Sequence, residues 1–224
     1  YPALPYAAYA KMELQDVADL YAFLKTLPAD PTPSAAHELG FPFSLRQGIG
    51  VWKLLFLSED WVIRGDLSPS ATRGRYIAEA LAHCGECHTP RSLTYAMTES
   101  RLAGNVIEGA LAPNLTPDAL VQRGWSADDL NRFLASGLAP QGVMTFRMFP
   151  VLSHSTSHMP PEDISAISSH LLAGRETLGP VPRAVAGTPD AGGHQLYLGL
   201  CAGCHGADGV GQPHSSVPLN TNTT

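Results

Sequence analysis

All four cysteines of the chain fall into two matching patterns, Cys84-Gly85-Glu86-Cys87-His88 and Cys201-Ala202-Gly203-Cys204-His205. C-x-x-C-H is the attachment pattern of a c-type haem. Each sulfur adds to a vinyl group of the porphyrin, and two intervening residues set both sulfurs along one edge. The adjacent histidine then lies under the iron as an axial ligand, with its second ring nitrogen free for a backbone carbonyl. Cys84, Cys87, Cys201 and Cys204 are therefore the expected attachment residues, and His88 and His205 the expected iron ligands.

Other uses of paired cysteines fit less well. Zinc ribbons place their C-x-x-C pairs about 15–20 residues apart, whereas more than a hundred residues separate these two. A thioredoxin-like pair needs a βαβ setting, and the flanking sequence reads as helix and loop. A disulfide framework leaves both histidines unexplained.

A haem that only carries electrons needs a second axial ligand, and a methionine thioether favours Fe(II) and raises the potential. After His88 the candidates are Met97, Met144, Met148 and Met159. Met97 is too near its own motif to reach the opposite face, and Met159 sits where a closing helix begins. Met144 and Met148 lie in the loop of Gly137 to Pro150, and spacing alone does not separate them. His154 and His158 read as surface or structural imidazoles. No methionine follows His205, and His214 lies too close to its own motif to serve.

These residues have to be held by helices. Gly74 to Cys87 reads as one helix running into the first motif, with Tyr76, Ile77, Ala80, Leu81 and Cys84 on one face. Ser126-Ala127-Asp128-Asp129 caps another, carrying Leu130, Phe133 and Leu134. A weak repeat relates Met12-Glu13-Leu14-Gln15-Asp16-Val17 to Met159-Pro160-Pro161-Glu162-Asp163-Ile164. Both copies put apolar residues at helical spacing behind an acidic first turn, as the closing helices of two related domains would. A further helix, about Ala191 to Leu200, leads into the second motif.

Pro-rich segments at Leu27 to Pro33 and Gly179 to Pro189 punctuate the chain. The expected order is the end of a first domain (1–30), an inter-domain segment (31–69), a complete middle domain (70–176), a linker (177–190) and the start of a third domain (191–224). The aromatic and apolar runs Phe41-Pro42-Phe43 and Val51 to Leu57 are expected to cover the seam between domains.

The 224 residues carry a formal charge of −6, which speaks against nucleic acid as a partner. No apolar run is long enough to cross a bilayer, the best being Val51 to Leu57, interrupted by Lys53, and the first residues lack the basic flank and apolar core of a signal peptide.

The sequence resembles the multihaem cytochrome c subunits of membrane-bound bacterial dehydrogenases for alcohols, aldehydes, gluconate, sorbitol or fructose. The resemblance spans nearly the whole chain. It rests on Tyr1 to Tyr6 with Tyr9 to Met12, Phe41-Pro42-Phe43, His83 to Arg91 (HCGECHTPR), Ala112 to Pro117 (APNLTP), Gly124-Trp125-Ser126 and His154-Ser155-Thr156. It implies an all-α fold of tandem class I cytochrome c-like domains, mainly helical with long loops around haem. It also implies three covalently bound haems in the intact protein, two of them attached here, in a chain lacking the start of the first haem domain and the end of the third.

The same resemblance picks Met148 over Met144 as the distal ligand, since the family's methionine lies six residues before the His/Asn-Ser-Thr stretch. It implies that Arg91, Asn114 and Trp125 surround the haem propionates, for which a guanidinium and an indole N–H are suitable donors. Leu4 stands where the family's first domain has its ligand methionine, and leucine cannot ligate iron. His170 replaces an aromatic residue of the closing helix and is expected to loosen its packing.

By resemblance, electrons pass from a catalytic dehydrogenase subunit, haem to haem, to ubiquinone or a downstream redox carrier. The implied location is periplasmic, at the outer face of the inner membrane, with membrane association through missing segments or partners. Competing readings are a peroxidase-like haem enzyme with an open distal site, which Met148 opposes, and a cytochrome c subunit of a terminal oxidase.

Overall fold

The computed structural model describes residues 4–64, 68–175, 190–212, 216 and 219. The chain is mainly helical. Helices α1 (Tyr6–Tyr9), α2 (Leu14–Leu24) and α3 (Gly48–Phe56) precede α4 (Pro69–Tyr76), which runs into a π-helical turn at Ile77–Leu81. The one-turn helix α5 (Gly85–His88) carries the first motif. The hairpin β1 (Asn105–Ile107) and β2 (Ala110–Ala112), helices α6 (Pro117–Gln122) and α7 (Ala127–Ser136), and the short hairpin β3 (Leu138–Ala139) and β4 (Gly142–Val143) follow. Then come α8 (Met148–His154), a 3-10 turn at Thr156–His158, α9 (Pro161–Leu172), α10 (Ala191–Leu200) and α11 (Ala202–His205).

The core lies among α4, the π turn, α6, α7 and α9. Ile77, Leu120, Trp125, Leu130, Ile167 and Leu171 meet there, each almost fully buried. Helices α4 and α9 cross in backbone contact because Gly74 has no side chain; a Cβ built on it would lie 1.8 Å from the Ala166 carbonyl oxygen. A bidentate pair from Arg73 to Asp163, 2.9 Å for each hydrogen bond, spans the same crossing.

Local signals explain the helix ends. At the expected cap the Ser126 hydroxyl accepts from Asp129 N–H while the Asp129 carboxylate reaches back to Ser126, closing a capping box. Pro161 opens α9 at its first helical position, and Ala173 ends it in a left-handed conformation. Asp190 caps α10 by accepting from Gly192 and Gly193 N–H.

Two expectations need correction. Gly74 to Cys87 is not one helix: after Tyr76 the chain widens into the π turn, where Ala82 N–H reaches Ile77 O, and His83 takes a left-handed φ of 44°. The motif therefore begins on a fresh turn. His170 does not loosen the closing helix either. It is fully buried, and its Nε2 lies 3.0 Å from Glu79 Oε1 in the π turn. The polar ring replaces aromatic packing with a hydrogen bond.

Helix α2 carries the expected apolar pattern, yet none of its residues is buried. Its ties to α4 are polar: the Tyr76 hydroxyl donates to the Asp16 carboxylate and accepts from Glu13 N–H. Helix α1 does pack, burying Ala7 and Ala8, and Tyr9 makes an edge-on ring contact with His83 just before the first motif. From the segment between them, the Trp52 indole donates to Thr94 O at 2.8 Å and Lys53 lies over the Tyr6 ring. Among the described residues no helix is long and apolar enough to cross a membrane. The 177–190 linker lies outside the described residues except for Asp190, as do Tyr1 to Ala3 and His214.

Candidate functional site

Both C-x-x-C-H segments fold alike. In each, the first cysteine ends a turn and the histidine N–H closes back on its carbonyl, 3.0 Å from His88 to Cys84 and 2.9 Å from His205 to Cys201. One turn of helix sets the cysteine pair and the histidine around a common edge. The Tyr197 hydroxyl donates to Gly206 O and steadies the second segment.

The four thiols are free. Burial pushes the Cys84 thiol up to about 11, and Cys87 is raised too, by burial and then by the neighbouring Glu86 carboxylate. A dithiol redox pair has the opposite bias, with its attacking thiol lowered. Among the described residues no three His, Cys, Asp or Glu side chains converge as a zinc site requires.

His88 is 5% exposed, and its Nδ1 lies 2.7 Å from the Pro113 carbonyl oxygen. A carbonyl only accepts, so Nδ1 carries the proton and Nε2 holds the free lone pair. Burial pushes the imidazole pKa down, the carbonyl bond partly opposes this, and the Arg123 charge lowers it further. The ring is thus neutral and fixed in the tautomer that a metal-ligating histidine needs.

The Pro113 carbonyl reaches His88 because Gly104 allows it. Gly104 N–H donates to His88 O at 2.8 Å, and its φ of 90° suits glycine. A Cβ there would lie 3.0 Å from Ala112 O and 3.1 Å from Asn114 N. Thr89, fully buried, accepts from Leu102 N–H and closes the same loop.

The residues expected around the propionates are placed as follows. Trp125 is 6% exposed, edge-on to Phe133, and its buried indole N–H has no acceptor among the described residues. Asn114 Oδ1 accepts from the N–H and hydroxyl of Thr116, a turn role. Arg91 is already paired with the Glu86 carboxylate and also donates to the Glu86 and Tyr95 carbonyls, bracing the loop after the motif.

Of the methionines, Met97 lies beside Gly85 of its own motif, and Met159, just before α9, packs on the core. Met144 is 1% exposed, whereas Met148, the first residue of α8, is half-buried. His154 and His158 are exposed, and His158 is tied to Ser153 O. Leu4 lies at the surface, 61% exposed.

These residues fit a covalently attached haem. A tautomer-fixed imidazole follows two closely spaced thiols, and a buried indole donor lacks an acceptor among the described residues. Sequence reasoning missed Gly104, Arg123 and the Glu79–His170 pair. Pro113 stood in a quoted motif, but nothing in the sequence pairs its carbonyl with His88.

No family model matches the chain. Curated relatives do. A dihaem cytochrome c-type protein of Cereibacter sphaeroides is 44% identical over 76% of this chain and 58% of its own length. The fructose dehydrogenase cytochrome subunit of Gluconobacter japonicus is 36% identical over 100% of this chain and 52% of its own. The gluconate 2-dehydrogenase cytochrome c subunit of Pantoea cypripedii is 32% identical over 93% and 53%. The chain spans a little over half the length of these relatives.

Proposed function

Because this chain belongs to the multihaem cytochromes c that include the cytochrome subunits of membrane-bound dehydrogenases, with two haem c attachment sites of its own, we propose that it is an electron-transfer subunit. It passes electrons from a partner dehydrogenase in the periplasm to ubiquinone or another carrier of the respiratory chain. The haems supply reversible one-electron Fe(III)/Fe(II) chemistry. The chain holds them, sets their axial ligands and controls burial.

In this reading Cys84 and Cys87 attach the middle haem, Cys201 and Cys204 the next, and His88 and His205 are the proximal ligands. The carrying observation is the 2.7 Å bond between His88 Nδ1 and Pro113 O, which turns a neutral Nε2 into the ligating atom. Met148 is the distal ligand. A thioether that meets iron cannot be spent on the protein interior, and Met148 is half-buried where Met144 is enclosed.

Residues 70–176 act as one complete cytochrome c domain in a tandem array, with parts of two others at 1–30 and 191–224. The intact protein carries three haems and works at the outer face of the inner membrane, bound to its dehydrogenase. Leu4 deprives the first domain of its ordinary distal ligand.

Haem counting by mass, with optical spectra of the oxidised and reduced full-length protein, tests the assignment. Three haems per chain and a thioether-to-iron band that weakens in Met148→Ala are expected. Absence of covalent haem from the native protein would overturn the proposal.

A further inference from the structure

The hairpin of β1 and β2 hangs from the two residues that hold His88. Gly104 leads into it, with its N–H on His88 O, and Pro113 leads out of it, with its carbonyl on His88 Nδ1. The two-residue loop at its tip, Glu108-Gly109, is left-handed at both positions, with φ of 51° and 82°. Such loops favour asparagine, aspartate or glycine at the first position. Glutamate stands there at a cost in backbone energy.

A second costly conformation lies just before Met148. Phe146 has a φ of 50°, an outlier for a bulky aromatic residue, and it is 53% exposed, so burial does not compensate it. The turn it makes is closed by Met148 N–H on Thr145 O at 3.1 Å and starts α8. Strained backbone of this kind persists only where its surroundings over-determine it, and it gathers at ligand clamps.

One ion pair joins the two strained turns. Arg147 Nε donates to Glu108 Oε2 at 2.8 Å, a terminal nitrogen donates to the same oxygen, and the guanidinium lies 5.6 Å from the centre of the Phe146 ring. The pair spans thirty-nine residues and ends one residue short of Met148. A continuous path thus runs from His88 through Gly104 and Pro113 to the hairpin, and across Glu108 and Arg147 to the methionine.

We propose that Glu108 and Arg147 form a positioning clasp that holds Met148 on the iron of the middle haem. This rests on Met148 being the distal ligand of that haem. Glu108 fixes the hairpin tip, Arg147 fixes the Phe146 turn, and the thioether next in sequence is confined to a narrow range of positions. Without the clasp the turn relaxes and the thioether leaves the iron more often. Both side chains are more than half exposed, so the pair adds little to global stability and acts on the ligand loop.

The test uses the full-length holoprotein and its Arg147→Gln, Glu108→Asn, Arg147→Gln/Glu108→Asn, Arg132→Gln and Met148→Ala variants. Cyanide binds ferric iron only while the thioether is off, so the slow cyanide phase that Met148→Ala makes fast reports the open fraction of the middle haem. Arg147→Gln should speed that phase about two- to fivefold, the factor an exposed ion pair supplies. It should also lower the temperature at which the thioether-to-iron band is lost. Asparagine suits the left-handed turn better than glutamate, so Glu108→Asn should keep or raise the urea midpoint and yet speed cyanide as Arg147→Gln does. The double variant should be no faster than either single one. Arg132→Gln, which breaks another exposed pair, should change neither readout. An unchanged cyanide phase and band in haem-loaded Arg147→Gln and Glu108→Asn, or accelerations that multiply in the double variant, would overturn the proposal. If Arg147→Gln does not load haem, Glu108→Asn decides alone. Failure of the underlying reading looks different: Met148→Ala would then leave both the band and the cyanide kinetics as in wild type.

Discussion

His170 and Glu79, ninety-one residues apart, form a fully enclosed hydrogen bond, 3.0 Å from Nε2 to Oε1. His170 Nδ1 has no partner among the described residues, so the geometry places the ring proton on Nε2, pointing at the carboxylate. Glu79 also accepts from Val62 N–H at 2.7 Å and Ile63 N–H at 3.3 Å. One carboxylate therefore joins the closing helix, the π turn and the segment that precedes α4. Removing the ring leaves that carboxylate buried with two backbone donors, plus a cavity. His170→Ala should cost about 2–4 kcal/mol of stability in urea unfolding of the holoprotein. In a cycle with Glu79→Ala the coupling should exceed about 1 kcal/mol; simple additivity would show that the bond contributes nothing.

Gly74 should tolerate no side chain. A methyl group 1.8 Å from Ala166 O forces α4 and α9 apart, and overpacking of this kind costs about 3 kcal/mol. Gly74→Ala should lower the urea midpoint while leaving haem attachment intact in the fraction that folds. Unchanged stability would mean that the helices do not cross in backbone contact.

Gly104→Ala probes the proximal ligand from outside it. A left-handed φ costs an L-residue about 1–2 kcal/mol, and the added Cβ presses on the backbone that presents Pro113 O. A longer Nδ1–H bond makes the imidazole a weaker donor to iron. The variant should therefore lose stability and show a higher middle-haem potential. A potential that falls, or does not move, would separate Gly104 from the ligand.

The Arg73–Asp163 pair predicts a specific pH dependence. The Arg73 hydrogen bonds hold the Asp163 carboxyl below its usual range. The folded pKa is depressed, so the stabilisation is complete above the ordinary aspartate value, about 3.9. It is lost as pH falls through the folded pKa. Half of the Arg73 side chain is exposed, so solvent screening keeps the effect below about 1 kcal/mol. Arg73→Gln should be less stable than wild type at neutral pH and converge with it in acid. A gap that persists below the folded pKa would assign the loss to packing.

Local signals alone determined much of this protein. Two C-x-x-C-H patterns specify their chemistry within five residues, and a helix cap acts within one turn, so Ser126 and the α10 boundaries were readable directly. What only the tertiary structure decided depends on contacts distant in sequence. The His88 tautomer is set by a carbonyl twenty-five residues away, and His170 is made structural by Glu79. Gly74 is required by a helix more than ninety residues later. The break at Ile77–Leu81 was hidden because a π turn carries nearly the same apolar spacing as an α-helix; only the packing of Cys84 against the core shows that the chain had to turn there. Arg123 looks like any surface arginine until the fold half-buries it at the end of α6, against the Ala119 and Asn114 carbonyls. Sequence patterns record what a residue does to its neighbours in the chain, whereas charge balance and burial depend on neighbours that only folding brings near.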